Sequence, residues 1–272
     1  MSRLAELGAQ LSQSQPAYRP KIVNTERRVR ALLDGRWMFD TTNAKLVWES
    51  KYFPQYWIPR SSFTSATSFP DSSAGSETQS CTHELTVGDK TICALLVPES
   101  FDTELAGYVK IEFTDLDAWF EEQQQIYYHP MDPYHRVDIL PSGRHVKVTL
   151  AGQTLADTGS EAGVMSLWET DLPGRWYLPA TAVNFSLLRV SNTKTGCPYK
   201  GQASYYDAVV QGKKYKDVVW WYKDPTGESM AIKGLLCFYP DKVETFVDGE
   251  PIARTGLPPM SKVDKESMVQ SK

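Results

Sequence analysis

Two stretches of this chain are versions of one another, and that duplication limits its fold more than any other feature. Val29 to Pro59 reads VRALLDGRWMFDTTNAKLVWESKYFPQYWIP, and Val146 to Pro179 reads VKVTLAGQTLADTGSEAGVMSLWETDLPGRWYLP. Both run alternating apolar residues into a glycine (Gly35, Gly152) and then Asp-Thr (Asp40-Thr41, Asp157-Thr158). Both continue to Trp-Glu (Trp48-Glu49, Trp168-Glu169) and an aromatic pair before an apolar-Pro step (Tyr56-Trp57, Trp176-Tyr177). A period of roughly 117 to 120 residues is far too long for a solenoid and fits duplication of a whole domain.

The copies then diverge. The second continues through GCPYKGQASYYD (196–207) to KYKDVVWWYKDP and IKGLLCFYPDKVETFVDGE. The first meets SSFTSATSFPDSSAGSETQS (61–80), a Ser-rich run that reads as a flexible loop, and recovers with CTHELTVGDKTICALLVP. These signals predict an N-terminal tail over 1–25, a first domain over 26–114, a connector over 115–143, a second domain over 144–254 and a tail over 255–272. Within the connector, 115–126 reads as a short amphipathic helix with Asp at its N-terminal end, and Pro130 and Pro133 end any helix beyond it. Elsewhere the pattern is mostly strand, with Gly152, Gly212 and Gly249 placed for hairpin turns. In KYKDVVWWYK, period two sets Val218, Trp220 and Tyr222 against Val219 and Trp221, as expected of a strand covered on both faces. Two further helical pieces are expected, near Arg3 to Gln13 and Glu228 to Lys233.

The chain has 272 residues, 41% of them hydrophobic, enough for a real core. A net charge of -4 and a pI near 5.7 argue against nucleic-acid binding. No segment has the apolar length of a membrane span or the h-region of a secretory signal. Four scattered cysteines give no disulfide framework, so reduced thiols and a cytoplasmic location are expected.

Trp168-Glu169, Tyr177 with Pro179, the run CPYKG-x-A-x-Y-Y (197–206), Trp220 with Tyr222, and Phe238-Tyr239 carry a family resemblance. The chain resembles a double-copy member of the uncharacterised DUF427 family, sometimes labelled nucleotidyltransferase-like. The resemblance spans about 26 to 254, and the connector words WFEE and HPMDPYHRVD share it. It implies a mainly β fold similar to the β-tent (Mss4-like) proteins and no settled activity. Such relatives commonly hold zinc with CxxC pairs, which this chain lacks; the first copy lacks CPYKG, with Cys81 and Thr82 near the positions of Tyr205 and Tyr206.

Lys200 is the sharpest candidate. Partial burial on its turn would lower its pKa and make it a base, a Schiff-base nucleophile or an anion contact; the alternative is a solvated turn lysine. Cys197 reads either as a thiolate lowered by that lysine or as a small apolar residue setting the turn with Pro198. Tyr205, Tyr206 and Tyr222 can donate protons or hydrogen bonds, while Trp168, Tyr177 and Trp220 can wall a cavity. Alternation lets only one of Tyr205 and Tyr206 face a given cavity, and Tyr205 is preferred because Ala203 and Asp207 leave its face roomier. Glu169 could be a general base or the counter-ion of Lys200, although Glu49 persists where the lysine motif is absent, which favours a structural role.

His129, Asp132, His135 and Asp138 have metal-ligand types, but the prolines exclude a shared helix face and packing between the domains fits better. With no CxxC, HExxH, Walker A or GxGxxG, no metal or cofactor is expected. For nucleotidyl transfer, Gly159-Ser160 has no acidic pair after it, and Asp115 and Asp117 have no Gly-Ser turn before them. The residues therefore predict a small-molecule pocket in the second domain, anchored by Lys200. An enzyme using Lys200, Tyr205 and Glu169 is the first reading, and a non-catalytic binder or scaffold the alternative. Mg-dependent nucleotidyl transfer is a third, resting on the resemblance alone.

Overall fold

The computed structural model describes residues 3–11, 20–50, 52–69, 81–101, 103–160 and 163–252. The chain divides into two units, Met1–Asp132 and Pro133–Lys272. The first holds helix α1 (Arg3–Leu11) and strands β1 (Lys21–Asn24), β2 (Val29–Leu33), β3 (Arg36–Thr41), β4 (Lys45–Trp48) and β5 (Gln55–Pro59). It continues with β6 (Thr67–Ser68), β7 (Cys81–Val87), β8 (Lys90–Leu96), β9 (Tyr108–Ile111), β10 (Ala118–Glu121) and β11 (Gln124–Ile126). The second holds β12 (Val137–Ser142), β13 (Val146–Leu150), β14 (Gln153–Asp157), β15 (Val164–Glu169) and β16 (Leu172–Leu178). It ends with β17 (Leu188–Cys197), β18 (Gly201–Val210), β19 (Lys213–Tyr222), β20 (Leu236–Phe238), β21 (Glu244–Val247) and β22 (Glu250–Pro251).

Each unit packs a seven-stranded sheet on a four-stranded one, in the same order. The larger sheets run β1-β4-β5-β9-β8-β7-β6 and β12-β15-β16-β20-β19-β18-β17; the smaller run β11-β10-β2-β3 and β14-β13-β21-β22. The ladders are antiparallel, and even the β-bulge of the first hairpin recurs, at Ala31/Leu32 and at Val148/Thr149. The hairpin turns are built alike: Asp34-Gly35 and Ala151-Gly152 both place two successive residues at positive φ, the primed geometry that matches strand twist. The duplication is therefore a duplication of the whole fold, and the mainly β, two-copy architecture stands.

The main core lies between the two sheets of each unit, with Val29, Phe39, Tyr56 and Trp119 in the first and Val146, Leu178, Val219 and Phe238 in the second. Outward faces carry a second cluster. In the first unit it is Val47, Trp57, Leu95, Val97 and Leu105, capped by Leu4 and Leu7 of α1. In the second it is Leu167, Tyr177, Tyr205, Trp220, Tyr222 and Cys237. Strand β19 lies between β20 and β18 with Trp220 and Tyr222 on the outer face and Val219 on the inner; Val218, expected beside Trp220, packs on the inner face too, because the β18–β19 register shifts and Asp217 takes φ +51°.

Several expectations change. Residues 115–126 are not a helix: a 3-10 turn at Phe113–Asp115 leads into β10 and β11. The reason is Trp119, 2% exposed, which must face the core from a strand paired with β2. The supposed connector thus closes the first unit, and its far end, β12, opens the second. β1 likewise begins inside the supposed N-terminal tail. The Ser-rich run contributes a 3-10 turn at Arg60–Ser62 and β6, and 70–80 lies outside the described residues, as do the start and end of the chain. The ladder registers equate Tyr205 with Thr82 and Tyr206 with His83, one step from the sequence alignment. Among the described residues, no helix is long and apolar enough to cross a membrane.

Candidate functional site

The turn between β17 and β18 builds the site. Lys200 N–H donates to Cys197 O at 3.3 Å, closing a tight turn over Pro198 and Tyr199. Its far side is pinned by the 3-10 stretch Gly227–Ile232: Thr226 and Ser229 hydroxyls both donate to Tyr199 O. Gly201 leaves the turn at φ +95°, and a Cβ there would sit 3.2 Å from Asp224 O, so the position demands glycine.

This turn aims Lys200 inward. Nζ donates to both oxygens of Glu169, at 2.7 and 2.6 Å. Two of the three ammonium donors are thus taken by one carboxylate. Glu169 Oε1 takes a further bond, 3.0 Å, from His135 Nε2, and the His135 ring stacks on Tyr199 at 4.4 Å. The side chains of Lys200, Glu169 and His135 are 11%, 9% and 16% exposed, so the imidazole is the open edge of the array.

The electrostatics follow from burial and pairing. Burial pushes the Glu169 carboxyl up, but the His135 bond and the Lys200 charge outweigh it and hold it below the ordinary carboxylate value. Burial pushes Lys200 down, but the Cys197 sulfur and the Glu169 carboxylate prevail and raise it. The expected lowering of the lysine is therefore reversed, because its burial comes with an ionic partner. Cys197 is also reversed: burial raises the thiol more than the nearby ammonium lowers it. With Glu169 ionised it can only accept, so His135 Nε2 carries the proton of that bond. A neutral His135 then presents an unprotonated Nδ1, to which no hydrogen bond among the described residues runs.

Behind the array lies a layer of hydroxylated aromatics. Trp220 Nε1 donates to Tyr177 OH at 3.0 Å, Tyr205 OH meets Thr195 Oγ1 at 2.7 Å, and Tyr239 sits 4.5 Å from the Trp220 ring. Burial raises the phenols of Tyr177, Tyr222 and Tyr239 well above the ordinary tyrosine value. The equivalent positions of the first unit are Trp57, Val97, Leu95 and Thr82, so this polar lining belongs to the second unit.

Of the nine predicted side chains, Lys200, Glu169, Cys197, Tyr177, Tyr205, Trp220 and Tyr222 share the outer face. Two do not. Trp168 projects from the other face of β15, 47% exposed, with Nε1 on Ser166 Oγ. Tyr206 faces inward and stacks on Trp221 at 6.2 Å and against Phe185 at 5.8 Å. Strand parity separates each from its sequence neighbour. His135, Tyr199, Thr195 and Tyr239 complete the site without having been predicted in it; Tyr239 shares strand parity with Cys237. His135 had been weighed as a metal or packing residue, and among the described residues no group of His, Cys, Asp and Glu could hold a metal ion. A crevice of the second unit, beside Trp176 and Thr245, lies on the inner face and not at Lys200.

In the first unit Glu49 has the same kind of partner from a different place. Lys110 Nζ lies 3.6 Å from Glu49 Oε1, with a side chain 0% exposed, and donates to Gln55 Oε1 and Ile111 O. Lys110 stands opposite Trp57 as Cys237 stands opposite Tyr177. That pair extends to Trp57, whose Nε1 donates to Glu49 Oε1 at 3.0 Å, and to Glu112, 3.8 Å from Lys110 Nζ, whereas the pair in the second unit extends to His135.

No curated protein matches the chain. One family model does, over residues 21–82 and 138–249, and it is described as a domain of unknown function, DUF427. The first match stops where the Ser-rich run ends, although the strand order of the fold continues to Ile126. The two matches together span more than half the sequence, and the chain belongs to the DUF427 family, in a double-domain form.

Proposed function

We propose that the second unit handles a small metabolite at the outer face of its larger sheet and turns it over by acid–base chemistry. His135 Nδ1 takes and returns the proton. Glu169 orients the imidazole, and Lys200, which donates to both of its oxygens, holds that carboxylate ionised. The observation that carries this reading is the 3.0 Å bond from His135 Nε2 to Glu169, which leaves the other ring nitrogen outside that bond. The hydroxyls of Tyr205, Thr195 and Tyr239 supply polar contacts on the same face. Free thiols at Cys93, Cys197 and Cys237 suit a cytoplasmic location.

A second reading is binding without turnover, and the Glu49–Lys110 pair favours it, since Glu49 keeps a lysine partner where the CPYKG motif is absent. Nucleotidyl transfer has less support: Asp117 is engaged with Lys90 and the Asp34 N–H, and Asp115 lies beside Glu112, which pushes its carboxyl up together with burial.

The test incubates wild type, His135→Gln and Lys200→Ala with host-cell metabolite extract, followed by native mass spectrometry and quantification of extract components. Acid–base turnover predicts a component retained and consumed by wild type, retained but not consumed by His135→Gln, and lost from Lys200→Ala. Retention without consumption by any of them selects the binder. Folded proteins that retain and consume nothing sink both readings.

A further inference from the structure

One tryptophan is covered in the first copy and exposed in the second. Trp48 and Trp168 hold the same position: Leu46 stands opposite Tyr56 as Ser166 stands opposite Trp176, two residues before each indole. Trp48 is 5% exposed and Trp168 47%. On the neighbouring edge strand, Val23 stands opposite Leu46 and packs on the main core, whereas Leu140 stands opposite Ser166 and is 53% exposed.

Lys21 and Asp132 help to cover Trp48. Lys21, on the facing rung, places Nζ 4.5 Å from the ring centroid, and Asp132 Oδ2 accepts from Nε1 at 2.9 Å. Asp132 belongs to the segment after β11. That strand ends at Ile126, opposite Trp119, and the chain continues through His129, whose ring stacks on Phe53 at 4.0 Å, to reach the indole. In the second unit Lys21 is replaced by Asp138, which accepts from Arg136 Nε at 2.9 Å instead. Trp168 Nε1 donates to Ser166 Oγ, at the place of Leu46, so its cover needs to be apolar and need not bring a carboxylate.

The counterpart of β11 is β22, the end strand of the other small sheet. Thr245 stands opposite Val148 as Trp119 stands opposite Ala31, and Ile252 N–H donates to Thr245 O at 2.9 Å, so Ile252 is the counterpart of Ile126. Trp168 lies against Gly174, where a Cβ would sit 2.8 Å from its ring, and Ile252 lines the same crevice as Gly174. The chain therefore leaves the sheet beside the exposed indole. Past Ile126 the first unit reads YYHPMD (127–132); past Ile252, outside the described residues, the chain reads ARTGLPPM (253–260). Five residues from Ile252 to Leu257 can span about 17 Å. A Pro-Pro step holds the chain extended and presents flat apolar rings, the form that aromatic faces take up. We infer that the segment LPPM (257–260) folds back over Trp168 and Leu140, as the segment ending at Asp132 covers Trp48 in the first unit. This strap does not depend on the acid–base reading of the His135–Glu169–Lys200 array.

Hydroxyl-radical oxidation of the folded chain, read by peptide mass mapping, tests the cover, with Trp48 as the buried reference and Trp37, 39% exposed, as the open one. In the full chain Trp168 is expected to react at close to the rate of Trp48. In a chain ending at Ile252, and in the full-length double variant Leu257→Asp with Met260→Asp, it should rise to the rate of Trp37 while Trp48 stays unchanged. A Trp168 rate that neither change moves overturns the inference. Protection that appears only as protein concentration rises assigns the cover to a second copy and also overturns it. If both variants fail to fold, Trp48 rises with Trp168 and the wild type decides: a rate near that of Trp48 at every concentration upholds the strap, and a rate near that of Trp37 overturns it.

Discussion

Lys110 and Cys237 occupy the same rung of equivalent strands in the two copies, yet the equivalent carboxylates Glu49 and Glu169 both have an ammonium partner. The second unit draws its lysine from the CPYKG turn and the first from the strand itself. A buried carboxylate needs a counter-ion wherever the chain can supply one, and two different positions supply it.

That requirement is measurable in the first unit. Lys110→Met removes the ammonium beside the buried Glu49 carboxylate, and is expected to cost about 3–5 kcal/mol. Glu49→Gln combined with Lys110→Met removes both charges and should recover most of that loss in urea unfolding. A double variant as unstable as the single one would show that the two residues are not coupled.

The turn that delivers Lys200 depends on Gly201. With φ at +95° and the Asp224 carbonyl 3.2 Å from any Cβ, Gly201→Ala is expected to cost about 1–3 kcal/mol. Its effect should be smaller in a Lys200→Met background, because the displaced turn then has no ion pair to lose. Equal costs in both backgrounds would separate the turn from the array.

How much of this was legible in the sequence depends on which residues are asked about. The repeat from Val29 and Val146, the hairpin glycines and the opposition of Trp220 and Tyr222 to Val219 and Trp221 follow from local period and turn chemistry, so they could be read directly, whereas the register shift that turns Val218 inward could not. Trp119 could not: an aromatic pair among acidic residues reads equally as a helix, and only its pairing with β2 makes it a core residue of the first unit. His135 sits before a strand, where no periodicity assigns a face, and reaches Glu169 across 34 residues. Lys110 was hidden because its counterpart is a cysteine, so no motif search equates it with Lys200. Tyr205 and Tyr206 were separable in principle by parity, and the ladder fixes which one faces outward.

Thiol reactivity should rank by burial. Cys93 is exposed, Cys197 is half-buried with its thiol pushed up, and Cys237 is buried with its thiol pushed up to about 12. Alkylation at pH 8, read by peptide mass mapping, is expected to label Cys93 well before Cys197 and Cys237 last. Preferential labelling of Cys197 would mean that it is a thiolate, and the ordering of charges around Lys200 would have to be redrawn.

The pH dependence of stability carries the signature of the array. Folding holds the Glu169 carboxyl below its ordinary value of 4.5, so its contribution is complete above that value and is lost as pH falls through the depressed one. Folding holds Lys200 above its ordinary 10.5, so its contribution is complete below that value and is lost as pH rises through the elevated one. The stability gap between wild type and Glu169→Gln is therefore expected to be level between about pH 5 and 10, at roughly 3 kcal/mol or more because Gln leaves the lysine buried without its counter-ion. Below pH 4.5 the gap should shrink, as wild-type Glu169 takes up a proton and comes to resemble the amide. Denaturant midpoints of the two proteins from pH 3 to 8 test this. A gap that widens on acidification would reverse the sign and place a neutral carboxyl at Glu169 in the folded protein.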